Sequence, residues 1–372
     1  QRLRRIRQLG LTHVVYPGAL HTRLHHALGA LHLMTQAVET LRSKGHDISA
    51  EEAKAVYIAI LLHDIGHAPF SHALEHILAG VKHEQISLYL MQELNRQFEG
   101  KLDMAIAVFT NNYPKKFLHQ LVSSQLDMDR LDYLNRDSFY TGVLEGKIGA
   151  QRIIKMLELY DDSLVIEEKG IYSIEKFIMA RRLMYWQVYL HKTVLGAEQL
   201  LVKIMQRARE LSLRGEKLFG SPVLQFFLNE DISQKDFSKK EMLDLFIRLD
   251  DYDIFSALKV WADHSDMVLS KLCTGMVNRR LYKIRIQKEA FDPQIVEQMQ
   301  KNAAVKLGIS IEEAHYIAFT GSISNSAYNP KEDEIKIIYK DGTLSTLTEV
   351  SDQMDVAVLS RPVLKNYLCF ME

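Results

Sequence analysis

The sequence predicts a mostly α-helical chain with a smaller α+β subdomain at its C-terminus. Three observations carry that prediction: helical apolar spacing recurs from residue 27 to residue 261, candidate strands in that stretch are few and short, and the texture changes after Leu281. Apolar residues at helical spacing occupy 27–44, 51–65, 84–98, 116–135, 150–160, 174–212 and 240–261. The first run opens with His21–Gly29 and stops at Gly45, with Leu24, Leu28, Leu31 and Val38 among its apolar positions. A small hairpin is expected at Leu164–Ile171, and Gly215–Asp236 reads as a surface connection. Beyond Leu281, Tyr282–Ile286 and Ile335–Tyr339 read as strands, Asp292–Leu307 as a helix, and Lys340-Asp341-Gly342 as a turn. The expected organisation is a helical core over 1–285 and an α+β subdomain over 286–372, the latter suited to subunit contact. The chain opens at Gln1, and a preceding N-terminal piece is expected.

Composition narrows the class. A chain of 372 residues with 47% hydrophobic content can bury a large core, as one main domain plus an appendage. The net charge of −1 argues against a general nucleic-acid binder, which carries a broad basic surface. Cys273 and Cys369 are the two cysteines, too few for a disulfide framework, so a reducing cytoplasm is the expected location. No apolar run reaches the ~18 residues of a membrane span, so no membrane partner is expected.

Chemistry concentrates in His63-Asp64-Ile65-Gly66-His67-Ala68-Pro69-Phe70-Ser71-His72, directly after an apolar helical run. Neighbouring residues on a regular helix point about 100° apart, but Gly66 and Pro69 loosen the helix there, so His63 and Asp64 can reach one cation. Imidazole with carboxylate suits Fe, Mn, Zn or Ni better than an all-oxygen calcium site. Further ligands must come from other segments. His21–Gly29 supplies histidines, and Gln125–Asp137 packs Asp127, Asp129, Asp132 and Asp137 beside Arg130 and Arg136, a density that is costly to bury without metal or ion pairs.

The order His26, then His63-Asp64, then Asp129 resembles the HD phosphohydrolase superfamily. More narrowly, Gln8-Leu9-Gly10, Tyr16-Pro17-Gly18-Ala19, Arg23-Leu24-His25-His26, the His63–His72 stretch and Lys82-His83-Glu84 resemble its deoxynucleoside triphosphate triphosphohydrolase branch. That branch includes bacterial dGTPase-like proteins and the vertebrate enzyme with a sterile-alpha-motif domain. The resemblance covers roughly the first 200 residues. It implies a multi-helix HD-domain core and a metal-dependent dNTPase releasing deoxynucleoside and inorganic triphosphate. It also implies that His26, His63, Asp64 and Asp129 hold one divalent transition metal, with Mg on the substrate triphosphate. Arg23, Arg130 and Arg181 match positions that grip phosphate, and His67 and His83 match positions that contact it or assist attack at the α-phosphorus. His72 and Glu75 match a proton-transfer pair, with Glu75 where the vertebrate enzyme has aspartate. Arg130 likewise replaces a lysine. Gln8, Tyr133 and Asp137 match residues around the deoxyribose, and Tyr189 one that crowds its 2′ position. These roles suit the reaction: arginines grip phosphate oxygens bidentately, a metal can lower the pKa of water toward ~7, and histidines transfer protons near neutral pH.

The same resemblance implies a homo-oligomer, dimer or tetramer, with an activating nucleotide between subunits. Gln1, Arg4, Val15, Tyr16, Arg152, His191 and Lys192 fall at or near the positions used there. The acidic Ile166-Glu167-Glu168 segment weighs against it by repelling triphosphate. Two other readings stay open: another HD phosphohydrolase (a nucleotidase or nucleotide phosphodiesterase), and a nucleotide-binding sensor with little turnover. The absence of a Gly-Tyr-Pro signature disfavours cyclic dinucleotides, and the presence of all four ligand positions disfavours the sensor. Plainer roles are read for several neighbours. His21, His25 and His32 are expected at the surface or in packing, and Asp127 and Asp132 as capping or salt-bridge partners. The plain alternative for Arg181 is a solvated helix face, and for Tyr133 and Tyr189 it is core packing.

Overall fold

A computed structural model describes residues 1–371 apart from 76, 78, 79, 326, 327, 331, 332, 353–360 and the side chain of His72. Helices dominate. In chain order they are α1 (Arg23–Ser43), α2 (Ala50–Leu62), α3 (His72–Leu74), α4 (His83–Gln97), α5 (Asp103–Phe109), α6 (Lys116–Val122), α7 (Met128–Thr141), α8 (Ala150–Lys155) and α9 (Ile171–Met184). They continue as α10 (Lys192–Leu213), α11 (Pro222–Asn229), α12 (Lys240–Phe246), α13 (Asp251–Trp261), α14 (Met267–Val277), α15 (Pro293–Leu307) and α16 (Leu347–Val350). The strands are β1 (Leu157–Tyr160), β2 (Ser163–Glu167), β3 (Lys283–Gln287), β4 (Ala318–Asn325), β5 (Lys336–Ile338), β6 (Leu344–Thr346) and β7 (Val363–Phe370). A mostly helical core with a smaller α+β region near the C-terminus is therefore the observed class.

Local chemistry explains the boundaries. Ser49 caps α2 reciprocally: its Oγ accepts from the Glu52 amide at 3.1 Å, and the Glu52 carboxylate accepts from the Ser49 amide at 2.8 Å. Asp127 caps α7 by accepting from the Arg130 amide at 2.7 Å, and the helix ends at Gly142 with φ 77°. That cap also divides the continuous helix expected over 116–135 into α6 and α7. The run 150–160 divides too. Asp161 and Asp162, at φ 48° and 58°, form a two-residue hairpin loop of the type that matches strand twist, so 157–160 pairs with 163–166 as strand. The hairpin thus lies earlier than Leu164–Ile171, and Gly215–Asp236 contains α11, capped by Ser221 with Pro222 in its first turn. The run 174–212 is interrupted by a single π-turn at Tyr185–Tyr189.

Two apolar cores result. The first joins α1, α2 and α5–α9 to the hairpin, through residues such as Val56, Leu121, Leu131, Ile153 and Phe177. The second joins α10–α14 to the C-terminal sheet, through Leu200, Phe227, Phe246, Leu258, Leu272 and Cys369. The C-terminal residues serve both: β5 pairs in parallel with β2, Ile337 opposite Ile166, whereas β3, β7 and β4 form a separate antiparallel sheet. Ile65, in the turn after α2, packs against both cores. Among the described residues, no helix is long and apolar enough to cross a membrane.

Gly66 lets that turn dock on α4. Its amide donates to Ser87 Oγ at 2.9 Å, and Ser87 Oγ donates to the His63 carbonyl at 2.6 Å. A Cβ on Gly66 would lie 2.2 Å from the His83 carbonyl oxygen and 2.4 Å from the Ser87 nitrogen, both backbone atoms. Gly66→Ala is expected to destabilise the fold by about 1–3 kcal/mol through overpacking. Urea unfolding measures this, and an unchanged midpoint and slope would contradict the docking argument.

Candidate active site

Three segments converge at the seam between the cores. His26 comes from the first turns of α1, His63 and Asp64 from the turn that ends α2, and Asp129 from the first turn of α7. α2 stops at Leu62 with His63 as its C-cap, so His63 and Asp64 lie in the turn that leads out of the helix. His26 Nε2 lies 3.0 Å from Asp129 Oδ1, 3.4 Å from His63 Nε2 and 3.8 Å from Asp64 Oδ2. His63 Nε2 lies 3.4 Å from Asp64 Oδ1 and 3.7 Å from Asp129 Oδ1. His26, His63 and Asp129 form one group whose donor atoms could hold a single cation.

The outer nitrogens are already engaged. His63 Nδ1 sits 2.6 Å from the Ile60 carbonyl, and His26 Nδ1 sits 2.8 Å from Asp132 Oδ2. Each contact leaves Nε2 turned toward the cluster, the arrangement in which histidines ligate metals. Asp132 also receives Arg136 in a two-pronged pair at 2.8 Å on each oxygen. Gly29 makes room for that pair, since a Cβ there would fall 1.9 Å from Arg136 Nη2. Asp127 caps α7 and pairs with the Arg130 guanidinium. Both acids therefore take the capping and salt-bridge roles read for them.

The electrostatics describe a cluster that wants a cation. Burial opposes the His26 imidazolium, yet hydrogen bonds to Asp129 and Asp132 outweigh it and push the pKa up to about 10. His63 shifts upward as well, with burial overcome by Asp64 and Asp129. For Asp64, burial favours the neutral acid, but Arg23, His63 and His67 hold the carboxyl well below its usual range. Asp129 is held down similarly by His26 and His63. His67 goes the other way, driven well down by burial and by Arg23. Mixed imidazole and carboxylate donors of this kind fit a divalent transition metal.

Around the cluster, the buried Arg23 pairs with Asp64 and donates to Ser71 Oγ at 2.7 Å. His67 Nε2 lies 3.1 Å from Asp64 Oδ1, and the His67 and His83 rings stack at 3.7 Å. Glu75 Oε1 accepts from the His83 amide at 2.7 Å. The side chain of His72 lies outside the described residues. Arg181 is buried rather than solvated; its Nη1 donates to Gln125 Oε1 at 3.1 Å, and its Nε, like that of Arg130, is buried without a hydrogen-bond acceptor. Tyr133 feels the charges of Arg181, Arg130 and Asp129, which places it among them. Tyr189 donates to Asp137 Oδ2 at 2.8 Å and meets Tyr133 edge-on at 6.1 Å. Gln8 leaves its Oε1 buried without a donor.

One expectation is corrected. His21 is neither a surface nor a purely packing residue: it is 1% exposed, its Nε2 lies 2.7 Å from Asp137 Oδ1, and its ring stacks on Tyr140. Its short reach to α7 depends on the turn before α1, which periodicity does not reveal. His25 lies in the capping box of α1, and His32 bonds Gln36 on the exposed face. Sequence reasoning gave no role to Ser71 or Gln125, which orient Arg23 and Arg181.

The positions read for an activating nucleotide are spread out. Tyr16 donates to the Gln187 carbonyl at 2.6 Å and meets His191 edge-on at 6.1 Å, with Val15 beside it in the chain. His191 caps α10 and, with Lys192, borders a cavity of about 520 Å³ that also includes Trp186 and Lys365. Gln1 and Arg4 are exposed, and Arg4 borders a different cavity of about 550 Å³ with Arg7 and Tyr252. Arg152 bonds the Lys169 carbonyl at 3.2 Å, and Glu167 pairs with Lys44.

Comparison with known proteins agrees with this geometry. Residues 23–137 match the family model described as HD domain, and residues 148–218 match the one described as HD associated region. The uncharacterized protein YwfO of Bacillus subtilis is 32% identical over 94% of this chain and 81% of its own length. The deoxynucleoside triphosphate triphosphohydrolase SAMHD1 homolog of Dictyostelium discoideum is 30% identical over 56% of this chain, which spans 44% of that protein. A solved structure of a phosphohydrolase from Bacteroides thetaiotaomicron superposes with a TM-score of 0.96 at 54% identity, covering 100% of this chain and 93% of that one. Since the HD model begins at Arg23 and ends at Asp137, enclosing all four converging donors, the chain belongs to the HD-domain phosphohydrolases.

Proposed function

We propose that this protein hydrolyses deoxynucleoside triphosphates to deoxynucleosides and inorganic triphosphate, with His26, His63, Asp64 and Asp129 holding one divalent transition metal. The observation that carries the reading is the pair of guanidinium groups, Arg130 and Arg181, each with a buried Nε lacking an acceptor, next to Tyr133 and the donor cluster. Buried unsatisfied donors are costly, and an anion with several oxygens removes that cost. Similarity to the Dictyostelium deoxynucleoside triphosphate triphosphohydrolase SAMHD1 homolog supports the same substrate class.

When bound, a divalent metal supplies Lewis acidity at the reacting phosphorus. The chain's own residues do the rest. Arg23, Arg130 and Arg181 orient the phosphates and offset charge on their oxygens. His67 and His83, stacked on each other, together with Glu75 and His72, handle the proton taken from water and given to the leaving oxygen. Tyr189 and His21 fix the Asp137 carboxylate, leaving it and Gln8 to meet the sugar, while the Tyr189 ring limits space beside the 2′ carbon. Residues 1–285 carry this chemistry, and 286–372 serve subunit contact in a homo-oligomer whose assembly an activating nucleotide promotes.

Metal-replete protein incubated with each dNTP, with their mixture, with GTP and with a cyclic dinucleotide tests the reading. Chromatography and phosphorus NMR are expected to reveal deoxynucleoside and intact triphosphate, and activity confined to the mixture would identify an activator. Orthophosphate as the product, or no turnover of any dNTP, would refute it. Asp64→Ala is expected to lose both metal and turnover; full activity in a metal-replete preparation would remove Asp64 from the ligand set. For Arg181→Ala, loss of charge-assisted hydrogen bonds of ~1.5–3 kcal/mol should raise KM about tenfold or more, and unchanged kinetics would return Arg181 to a structural role. Tyr189→Ala should narrow the preference for dGTP over GTP, so an unaltered ratio of kcat/KM values would reject its place beside the sugar.

A further inference from the structure

The turn that follows the His-Asp pair is strained. Phe70 and Ser71 both adopt positive φ, 56° and 58°, and Ser71 pairs that with ψ −122°, a region that favours glycine. Such conformations are unfavourable for residues other than glycine and persist where surrounding contacts impose them. Here those contacts come from α13, far along the chain. Asp251 is 3% exposed; its Oδ1 accepts from the Phe70 amide and its Oδ2 from the Arg7 amide, both at 3.0 Å. One turn later on the same helix face, Phe255 meets the Phe70 ring edge-on at 5.3 Å.

The strained turn leads directly to the donor cluster. Ser71 Oγ accepts from Arg23 at 2.7 Å and donates to the Arg7 carbonyl at 3.3 Å, and Arg23 pairs with Asp64. Arg7 is therefore held by Asp251 through its amide and by Ser71 through its carbonyl. Both family models end before residue 251, so this support comes from outside the matched segments.

We infer that Asp251 is a positioning residue for the active site: by clamping the Phe70 and Arg7 amides it fixes Ser71, and through Ser71 the Arg23–Asp64 pair. A carboxylate suits this geometry, because each of its two oxygens, on one short side chain, accepts from one of the two converging N–H donors. The inference rests on the proposed metal site but has a readout independent of the substrate.

The test compares full-length wild type, Asp251→Ala, Asp251→Asn and Asp250→Ala, each loaded with cobalt(II). Asp250 caps α13, so its replacement controls for destabilising that helix. Asp251→Ala is expected to retain cobalt but alter its visible d–d spectrum and lower kcat about 10–100-fold, the scale of losing a group that orients a ligand, with a smaller change in KM. Asp251→Asn, which keeps one acceptor oxygen, should fall between Asp251→Ala and wild type, and it carries the comparison where Asp251→Ala does not fold. Asp250→Ala should lower Tm and keep the wild-type spectrum. Wild-type spectra in both Asp251 variants, or an equal spectral change in Asp250→Ala, would overturn the inference. If wild type binds cobalt but turns over no dNTP, the proposed substrate is wrong while the spectra still decide the role of Asp251.

Discussion

Two imidazoles and two carboxylates, with His26 Nε2 3.0–3.8 Å from the other three and three of the four residues under 10% exposed, are the constraint around which the fold is arranged. Charges in such a place need partners, and each is given one. Arg23 offsets Asp64, Asp132 steadies His26, and Arg136 in turn neutralises Asp132. The raised pKa of His26 and lowered pKa of Asp64 express the same fact: without a metal, protons and a guanidinium supply the positive charge the carboxylates require. The pairing extends outward through α1 and α7, so glycine at position 29 is as much a part of the site as the ligands, because a larger residue would push out Arg136.

Placing the cluster at the seam between two cores has a mechanical consequence. Neither core alone contains the full set of supports. His26, Asp129 and Asp132 stand on α1 and α7, whose apolar residues belong to the first, whereas the turn carrying His67, Phe70 and Ser71 leans on the second through Phe70 and Ala68. The π-turn at Tyr185–Tyr189 lies between α9 and α10 and brings Tyr189 back toward Asp137. Irregular backbone at Phe70, Ser71 and Tyr185–Tyr189 lies where side chains near the cluster are aimed, in keeping with its frequent occurrence at functional sites.

What the sequence made legible follows from distance along the chain. His63, Asp64, Gly66 and Pro69 lie together, and their composition alone predicts a broken helix with metal-suited side chains, which is how α2 ends. The helices themselves follow from apolar spacing, but their breaks do not: the Asp127 cap falls inside a run read as helix over 116–135, and 157–160, the strand before the Asp161–Asp162 loop, falls inside the run 150–160. His21 was misread for another reason. Its partner is 116 residues away, and nothing local distinguishes a histidine bonded to a distant carboxylate from one at the surface. Ser71 and Gln125 escaped notice likewise, since a neutral polar residue acquires its role from the arginine that tertiary structure sets beside it.

The proposed preference for an anionic ligand rests on where carboxylates are missing. The chain as a whole is nearly neutral, at −1, so long-range attraction contributes little. Locally the balance differs from residue to residue. Arg23 is matched by Asp64 and Arg130 by Asp127, but Arg181 donates to the neutral amide of Gln125. Gln125 can orient the guanidinium without cancelling its charge, which leaves Arg181 as a buried cation whose Nε lacks an acceptor. Were Gln125 a glutamate, the same hydrogen bond would form and the field would vanish. In the proposed reading, neutral orientation of one arginine, beside charged pairing of the other two, is what would turn a set of internal ion pairs into a place for phosphate.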